Sequence, residues 1–138
     1  MANGGYGGTM AAGAAGAKQA GGRTIGVTCE AFGRGAANPY IDQEIRTPDL
    51  SSRLERLIEL GDGYVVLPGG TGTLMELAAV WELQKKRLTS RKSVVLLGRW
   101  WEPVVELVCR DDPGARGVLA WAEDATSAVG TLAGAVGG

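Results

Sequence analysis

Two short glycine runs in this chain are suited to hold an anion, and one has a carboxylate just downstream. The sharper run is Pro68-Gly69-Gly70-Thr71-Gly72-Thr73, with Glu76 three residues after Thr73. It follows the apolar stretch Tyr64-Val65-Val66-Leu67 and leads into a helical pattern. Glycines let successive backbone N–H groups close on an anion, and a helix starting there adds about half a positive charge. Thr71 and Thr73 add hydroxyl donors, so a phosphate suits this turn. The run lacks the Lys-Ser/Thr of a P-loop. It also lacks the third glycine of a dinucleotide fingerprint, since Met75 stands in that place. The glycines would equally serve a plain strand-to-helix turn; the phosphate reading is preferred. Glu76 is expected in the first helical turn, off a stripe of Leu74, Leu77, Ala78 and Trp81. There it points toward whatever the turn cradles, or is simply an acid favoured by the helix dipole. The other run, Gly4-Gly5-Tyr6-Gly7-Gly8-Thr9, has the same form, with Gly7, Gly8 and Thr9 as its phosphate-side candidates.

Composition narrows the chemistry. There is no histidine, which removes Ser-His-Asp triads, His-Cys zinc sites and a histidine general base. The two cysteines, Cys29 and Cys109, form no CxxC pair, so neither a zinc knuckle nor a disulfide framework is indicated. A reduced cytoplasm is the expected compartment. Fourteen Lys and Arg against fifteen Asp and Glu leave a net charge of −1, with no basic excess for nucleic acid. No run of about 18 apolar residues would span a membrane, and the first 22 residues lack the basic start and apolar core of a signal peptide. Glycine, 23 of 138 residues, is the outlier against a usual ~7%. The length fits one domain over residues 1–138.

The elements that must position these residues alternate. After the first glycine run, Thr9 is a candidate N-cap for a small-residue helix ending at Gly21-Gly22, and residues 23–29 form a strand. A strand only partly contained in the chain is expected before that run. Residues 30–46, broken by Gly33, Gly35 and Asn38-Pro39, read as a loop. Thr47-Pro48-Asp49 opens a helix with the stripe Leu50, Leu54, Leu57 and Ile58, closed by Gly61. Arg53 lies beside that stripe, where a solvated face is the plain expectation. Then follow a strand over 64–67, a helix from Thr73 to about Leu88, a strand over 93–97 and a short helix near 104–109 that Trp100-Trp101 lead into. A last strand over 117–122 precedes a helix capped by Asp124, with Val129, Leu132, Ala133 and Val136 on its apolar face. This is an α/β pattern: a Rossmann-like parallel sheet flanked by helices. Ligands in such sheets sit at the carboxyl ends of strands, where both glycine runs fall.

Taken together, GGYGGTM, GAKQAGG, IGVTC and the stretch TPDLSSRLERLIELGDGYVVLPGGTGTLMEL resemble the LOG ("lonely guy") family of nucleoside 5′-monophosphate phosphoribohydrolases, some of whose members are labelled possible lysine decarboxylases. The family pattern PGGxGTxxE is met at every fixed position from Pro68 to Glu76. The likeness runs from about Gly4 to about Pro103. It implies cleavage of an N-glycosidic bond to free base and ribose 5-phosphate, with Glu76 and Arg53 catalytic and no metal or cofactor. Gly69, Gly70, Thr71, Gly72 and Thr73 would hold the phosphate. Arginine gives up no proton at neutral pH, so the fork of Arg53 would orient Glu76 or contact the ribose phosphate. The resemblance also implies a homodimer, and roughly one further strand–helix unit before Gly4, on the order of 40 residues. The segments FGRGAANPY and VWELQKKRLTSRKSVVLLGRWWEP look more like an uncharacterised branch than the cytokinin-activating plant branch. A non-catalytic nucleotide or phosphoester binder on the same fold is the alternative, and a remnant that has lost its first unit is a third reading.

Overall fold

The structure, a computed structural model, describes residues 1–136, with side-chain surroundings described up to Gly134. It comprises two compact units, Met1–Gly61 and Asp62–Gly138. The first runs β1 (Ala2–Asn3), α1 (Thr9–Gln19), β2 (Ile25–Cys29), a 3-10 turn (Glu30–Phe32), β3 (Gln43–Thr47) and α2 (Leu50–Leu60). Its sheet has the order β1-β2-β3, all parallel, with Ala2 opposite Ile25 and Cys29 opposite Thr47. The second runs β4 (Tyr64–Val66), α3 (Thr71–Lys85), β5 (Val94–Leu97), α4 (Glu102–Asp111), a 3-10 turn (Pro113–Val118), β6 (Leu119–Ala122) and α5 (Ala125–Val136). Its sheet, β4-β5-β6, is also parallel, with Val66 opposite Leu96 and Leu97 opposite Ala122. Helices between parallel strands make both units α/β and Rossmann-like.

In the first unit β2 is the central strand, and Val27, Thr28 and Cys29 are buried. Much of what surrounds them is polar and satisfied. Thr47 donates to Thr28 O at 2.7 Å, Thr24 to Tyr40 O at 2.6 Å, and Thr28 to Glu44 Oε1 at 2.8 Å. Strand β3 lies inside the stretch expected to be a loop. Its sequence, Gln43-Glu44-Ile45-Arg46-Thr47, carries little apolar pattern because it is an outer strand of its sheet. Ladder hydrogen bonds to β2, rather than burial, make it a strand. Two caps also differ from expectation. Thr9 is the first residue of α1, whose N-cap is Gly8. Thr47 ends β3, and Asp49 caps α2 by accepting from Ser52 N at 2.8 Å.

The second unit has a larger aliphatic interior of Leu77, Val94, Val95, Leu96 and Val105, all nearly inaccessible. Helix α5 packs Ala128 and Leu132 on Val95 and Ala122, with Asp124 as its cap as expected. Val129 and Ala133 are exposed instead of joining that face, and the Val136 side chain lies outside the described residues. Helix α3 begins at Thr71, two residues early, and buries Leu77, Val80, Trp81 and Gln84. Leu74 and Ala78, expected on that face, are exposed. Buried Gln84 is satisfied by the chain just beyond the helix: it donates to Thr89 Oγ1 at 2.9 Å and accepts from Lys92 N at 2.8 Å. No helix among the described residues is long and apolar enough to cross a membrane.

Candidate functional site

The second unit carries the sharper glycine run at the carboxyl end of β4. Two adjacent indoles hold it from the start of α4. Trp101 Nε1 donates to Leu67 O at 3.0 Å and Trp100 Nε1 to Gly69 O at 3.2 Å. Thr73 folds over Gly69, so that a Cβ there would lie 2.8 Å from Thr73 Cβ and closer still to its hydroxyl. Only glycine fits. Gly70 and Gly72 differ. A Cβ at either would meet nothing within 4 Å, and neither has a positive φ. Neither packing nor backbone geometry asks for glycine at these positions, although glycine in a helix costs up to about 1 kcal/mol against alanine. Open space above the N-terminus of α3 is what their lack of a side chain preserves. Gly70, the N-cap, supplies no side-chain acceptor to the first N–H groups of α3, which leaves a positive end facing that space. The arrangement can take an anion.

Glu76 is half-buried in the second turn of α3, not the first, because the helix starts at Thr71. Helical side chains lean toward the N-terminus, which in α3 is the end that carries the glycine turn.

In the first unit the run Gly4–Thr9 is braced by polar side chains. Gly5, at φ +75°, approaches Gly26, where a Cβ would lie 3.0 Å from Gly5 Cα. Asn3 Oδ1 accepts from Gly5 N at 2.8 Å, and Asn38 Nδ2 donates to Tyr6 O at 2.9 Å. The Tyr6 hydroxyl accepts from Cys29 N at 2.9 Å. Arg53 is the buried residue of α2, which corrects the solvated face expected for it. Its Nε donates to Val27 O at 2.9 Å, and its guanidinium lies 5.8 and 5.6 Å from the ring centres of Tyr6 and Phe32. A side chain at Gly4 would collide with that guanidinium. Gly7 and Gly8 face open space, and Thr9 is exposed. Thus Gly7, Gly8, Thr9 and Arg53 belong to the first unit, and Gly69 to Thr73 with Glu76 to the second.

Two features escape the sequence reading. A cleft of about 290 Å³ at the end of β2 is lined by Thr28, Cys29, Glu30, Arg34, Glu44 and Arg46. The Thr28 hydroxyl holds the Glu44 carboxyl below its usual range. It is missed because its wall is the strand taken for a loop. The contact of Trp100 with the glycine turn is also unforeseen; the only sequence hint is a pair of aromatics directly after the next strand. Among the described residues, no cluster of three His, Cys, Asp or Glu is placed to hold a metal ion.

A model of the family described as possible lysine decarboxylase matches residues 10–120, well over half of the chain. The chain belongs to this family. The pyrimidine/purine nucleotide 5′-monophosphate nucleosidase of Escherichia coli K12 is 40% identical to it over 40 residues, 29% of this chain and 9% of that protein. The nucleosidase of the same name from Escherichia coli O157:H7 matches to the same extent. The chain therefore matches only about a tenth of the length of these curated relatives. In this family member the run from Pro68 to Glu76 lies wholly within one unit, from the end of β4 to the second turn of α3.

Proposed function

We propose that this family member hydrolyses the N-glycosidic bond of a nucleoside 5′-monophosphate, releasing free base and ribose 5-phosphate. The observation that carries this reading is the turn Gly69–Thr73. Two of its glycines keep open space over an uncapped helix N-terminus, and a carboxylate follows on the same helix. The 5′-phosphate would lie on the N–H groups at the start of α3 with the Thr71 and Thr73 hydroxyls. As the bond between C1′ and the base nitrogen breaks, positive charge develops on the ribose. Glu76 would stabilise that charge or orient the attacking water, as carboxylates do in glycoside cleavage. Water supplies hydroxyl to C1′, and its proton ends on the departing base. In the first unit, Gly7, Gly8 and Thr9 are proposed as further phosphate donors and Arg53 as a catalytic cation whose fixed fork suits a phosphate or carboxylate. The names of the Escherichia coli relatives favour the same substrate class, over a short segment.

A homodimer in a reducing cytoplasm belongs to the same proposal. Leu74 and Ala78 are exposed on α3, and both cysteines are free. Trp81, on the same helix, is buried and donates to Ala115 O at 2.7 Å, so the exposed face of α3 is the one that carries Leu74 and Ala78. A sedimentation mass of one chain at micromolar concentration would overturn the dimer.

The decisive comparison is base release by the wild type and by Glu76→Gln, with nucleotide affinity measured alongside. Gln keeps the shape and loses the charge. An interaction made chiefly in the transition state lowers the rate and spares affinity. The expected loss is about 10²–10³-fold in kcat. Equal rates would sink the catalytic assignment; binding without release by either protein would indicate a nucleotide-binding protein instead.

A further inference from the structure

The loop after β5 sets an aromatic ring against the proposed phosphate turn. Strands β4 and β5 are parallel neighbours, so the turn after β4 and the loop after β5 leave the same end of the sheet. Ligands of open α/β sheets lie across the carboxyl ends of adjacent strands. From that loop Trp101, 4% exposed, serves the interior and donates to Leu67 O. Trp100 does not serve the interior. It is 60% exposed, yet it is fixed, because its indole N–H donates to Gly69 O. An indole held by its polar edge on the backbone of a glycine turn, with much of the side chain open to water, offers a flat apolar platform at a defined place. The neighbouring Arg99 is engaged elsewhere, with Glu102 at 2.9 Å and the Trp121 ring at 5.7 Å.

We infer that Trp100 is the stacking platform for the base of the nucleotide whose phosphate lies on Gly69–Thr73. The inference rests on the phosphate reading given above. Every base has a π face, so stacking tolerates base identity. The platform would take purine and pyrimidine monophosphates alike, with little selection between them, and would add nothing to the binding of a sugar phosphate without a base.

The test measures binding of adenosine 5′-monophosphate, cytidine 5′-monophosphate and ribose 5-phosphate by calorimetry. The proteins are the wild type, Trp100→Ala, Trp100→Phe and Gly72→Val. Trp100→Ala is expected to weaken both nucleotides on the order of ten- to a hundredfold and to weaken ribose 5-phosphate far less, no more than Trp100→Phe does, since both variants lose the bond to Gly69 O. Trp100→Phe keeps a flat ring but loses the hydrogen bond to Gly69, so it should retain most nucleotide affinity. The tryptophan quench that nucleotide causes in the wild type should disappear in Trp100→Phe. Wild-type affinity in Trp100→Ala, with all binding lost in Gly72→Val, would overturn the platform and leave the phosphate reading standing. Equal weakening of nucleotides and ribose 5-phosphate in both Trp100 variants would show that the residue only braces the turn, and would also overturn it. Full binding by Gly72→Val, or none by the wild type, would remove the phosphate reading and the platform with it.

Discussion

The two glycine turns are alike in composition and are held by different means. The first depends on hydrogen bonds accepted by Asn3 Oδ1 and the Tyr6 hydroxyl and donated by Asn38 Nδ2, and on the guanidinium of Arg53 packed against Gly4. The second is held by Thr73 over Gly69 and by two indoles on consecutive residues. Their surroundings differ in the same sense. The largest fully buried side chains of the first unit are Val27, Thr24 and Cys29; those of the second are Leu77, Leu96, Val94, Val95 and Val105. A glycine run thus does not dictate its own support. Where the interior is small and rich in threonine, the side chains of asparagine, tyrosine and arginine fix the turn; where it is aliphatic, two indole N–H donors and the close approach of Thr73 do, and one of those indoles, Trp101, is itself seated in the interior. The first unit should respond to changes in charge and hydrogen bonding, and the second to lost volume.

The largest expected effect is on the aliphatic side. Leu77 is 1% exposed, and Leu77→Ala should cost about 2–5 kcal/mol, because the lost contacts and the cavity add. Trp81, Trp100, Trp101 and Trp121 all lie in the second unit, so tryptophan emission during urea unfolding reports on it directly. A midpoint within error of the wild type would mean that this interior is not what supports the second turn.

Glycine substitutions sharpen the contrast at smaller scale. Gly4→Ala drives a methyl into the Arg53 guanidinium and the Met10 sulfur. Arg53 must then shift from Val27 O, and a hydrogen bond from a charged donor contributes about 1.5–3 kcal/mol. Gly72→Ala meets nothing. In the absence of ligand it should stabilise the protein by up to about 1 kcal/mol while weakening phosphate binding. Thermal melts of the two variants should therefore move in opposite directions, and a phosphate titration of Gly72→Ala should show weaker binding than the wild type. Undiminished phosphate binding by Gly72→Ala would mean that the space above α3 is not kept for an anion.

The parts legible in the sequence were those with strong local causes. Tyr64 to Leu67, Ser93 to Leu97 and the glycine–helix junctions announce themselves by apolar runs and breakers, and the structure has elements there. The parts that were not legible depend on tertiary neighbours. Gln43–Thr47 is a strand because β2 lies beside it. Arg53 looks like a surface residue on helical spacing alone, and is buried because Val27 O, Gly4 and two aromatic rings receive it. Leu74 and Ala78 continue the stripe of Leu77 and Trp81 on paper, but the buried face turns toward Val80 and Gln84. The Pro68–Glu76 run could be read by eye, whereas the indole beside it comes from the next strand's loop, about thirty residues on.

The smallest effect is the response to acid, where the polar bracing of the first unit should show itself. Asp42, Glu44 and Asp49 of that unit all have carboxyls held below their usual range; among the described residues of the second unit, Asp124 does. The Asp42 value falls from 3.8 to about 2, first through the hydrogen bond from Lys18, then through the Thr24 N–H and the Thr24 hydroxyl. A carboxyl whose folded value is depressed favours the folded state in its charged form. That contribution is complete above the unfolded value near 3.8 and is lost as the pH falls through about 2. Between those limits the edge joining Thr24 to Asp42 should loosen, and amide exchange at Thr24 should accelerate. Tryptophan emission from the second unit should change less over the same range. The effect stays modest because Lys18 and Asp42 are solvent-accessible, where ion pairs are screened. Salt should therefore reduce the part due to Lys18 and leave the part due to the Thr24 bonds. Asp42→Asn removes the titrating group, so its exchange at Thr24 should already be fast near neutral pH and lose this acid dependence. An acid profile at Thr24 identical in wild type and variant would show that the carboxylate does not hold this edge, and the contrast between the two units would lose its electrostatic half.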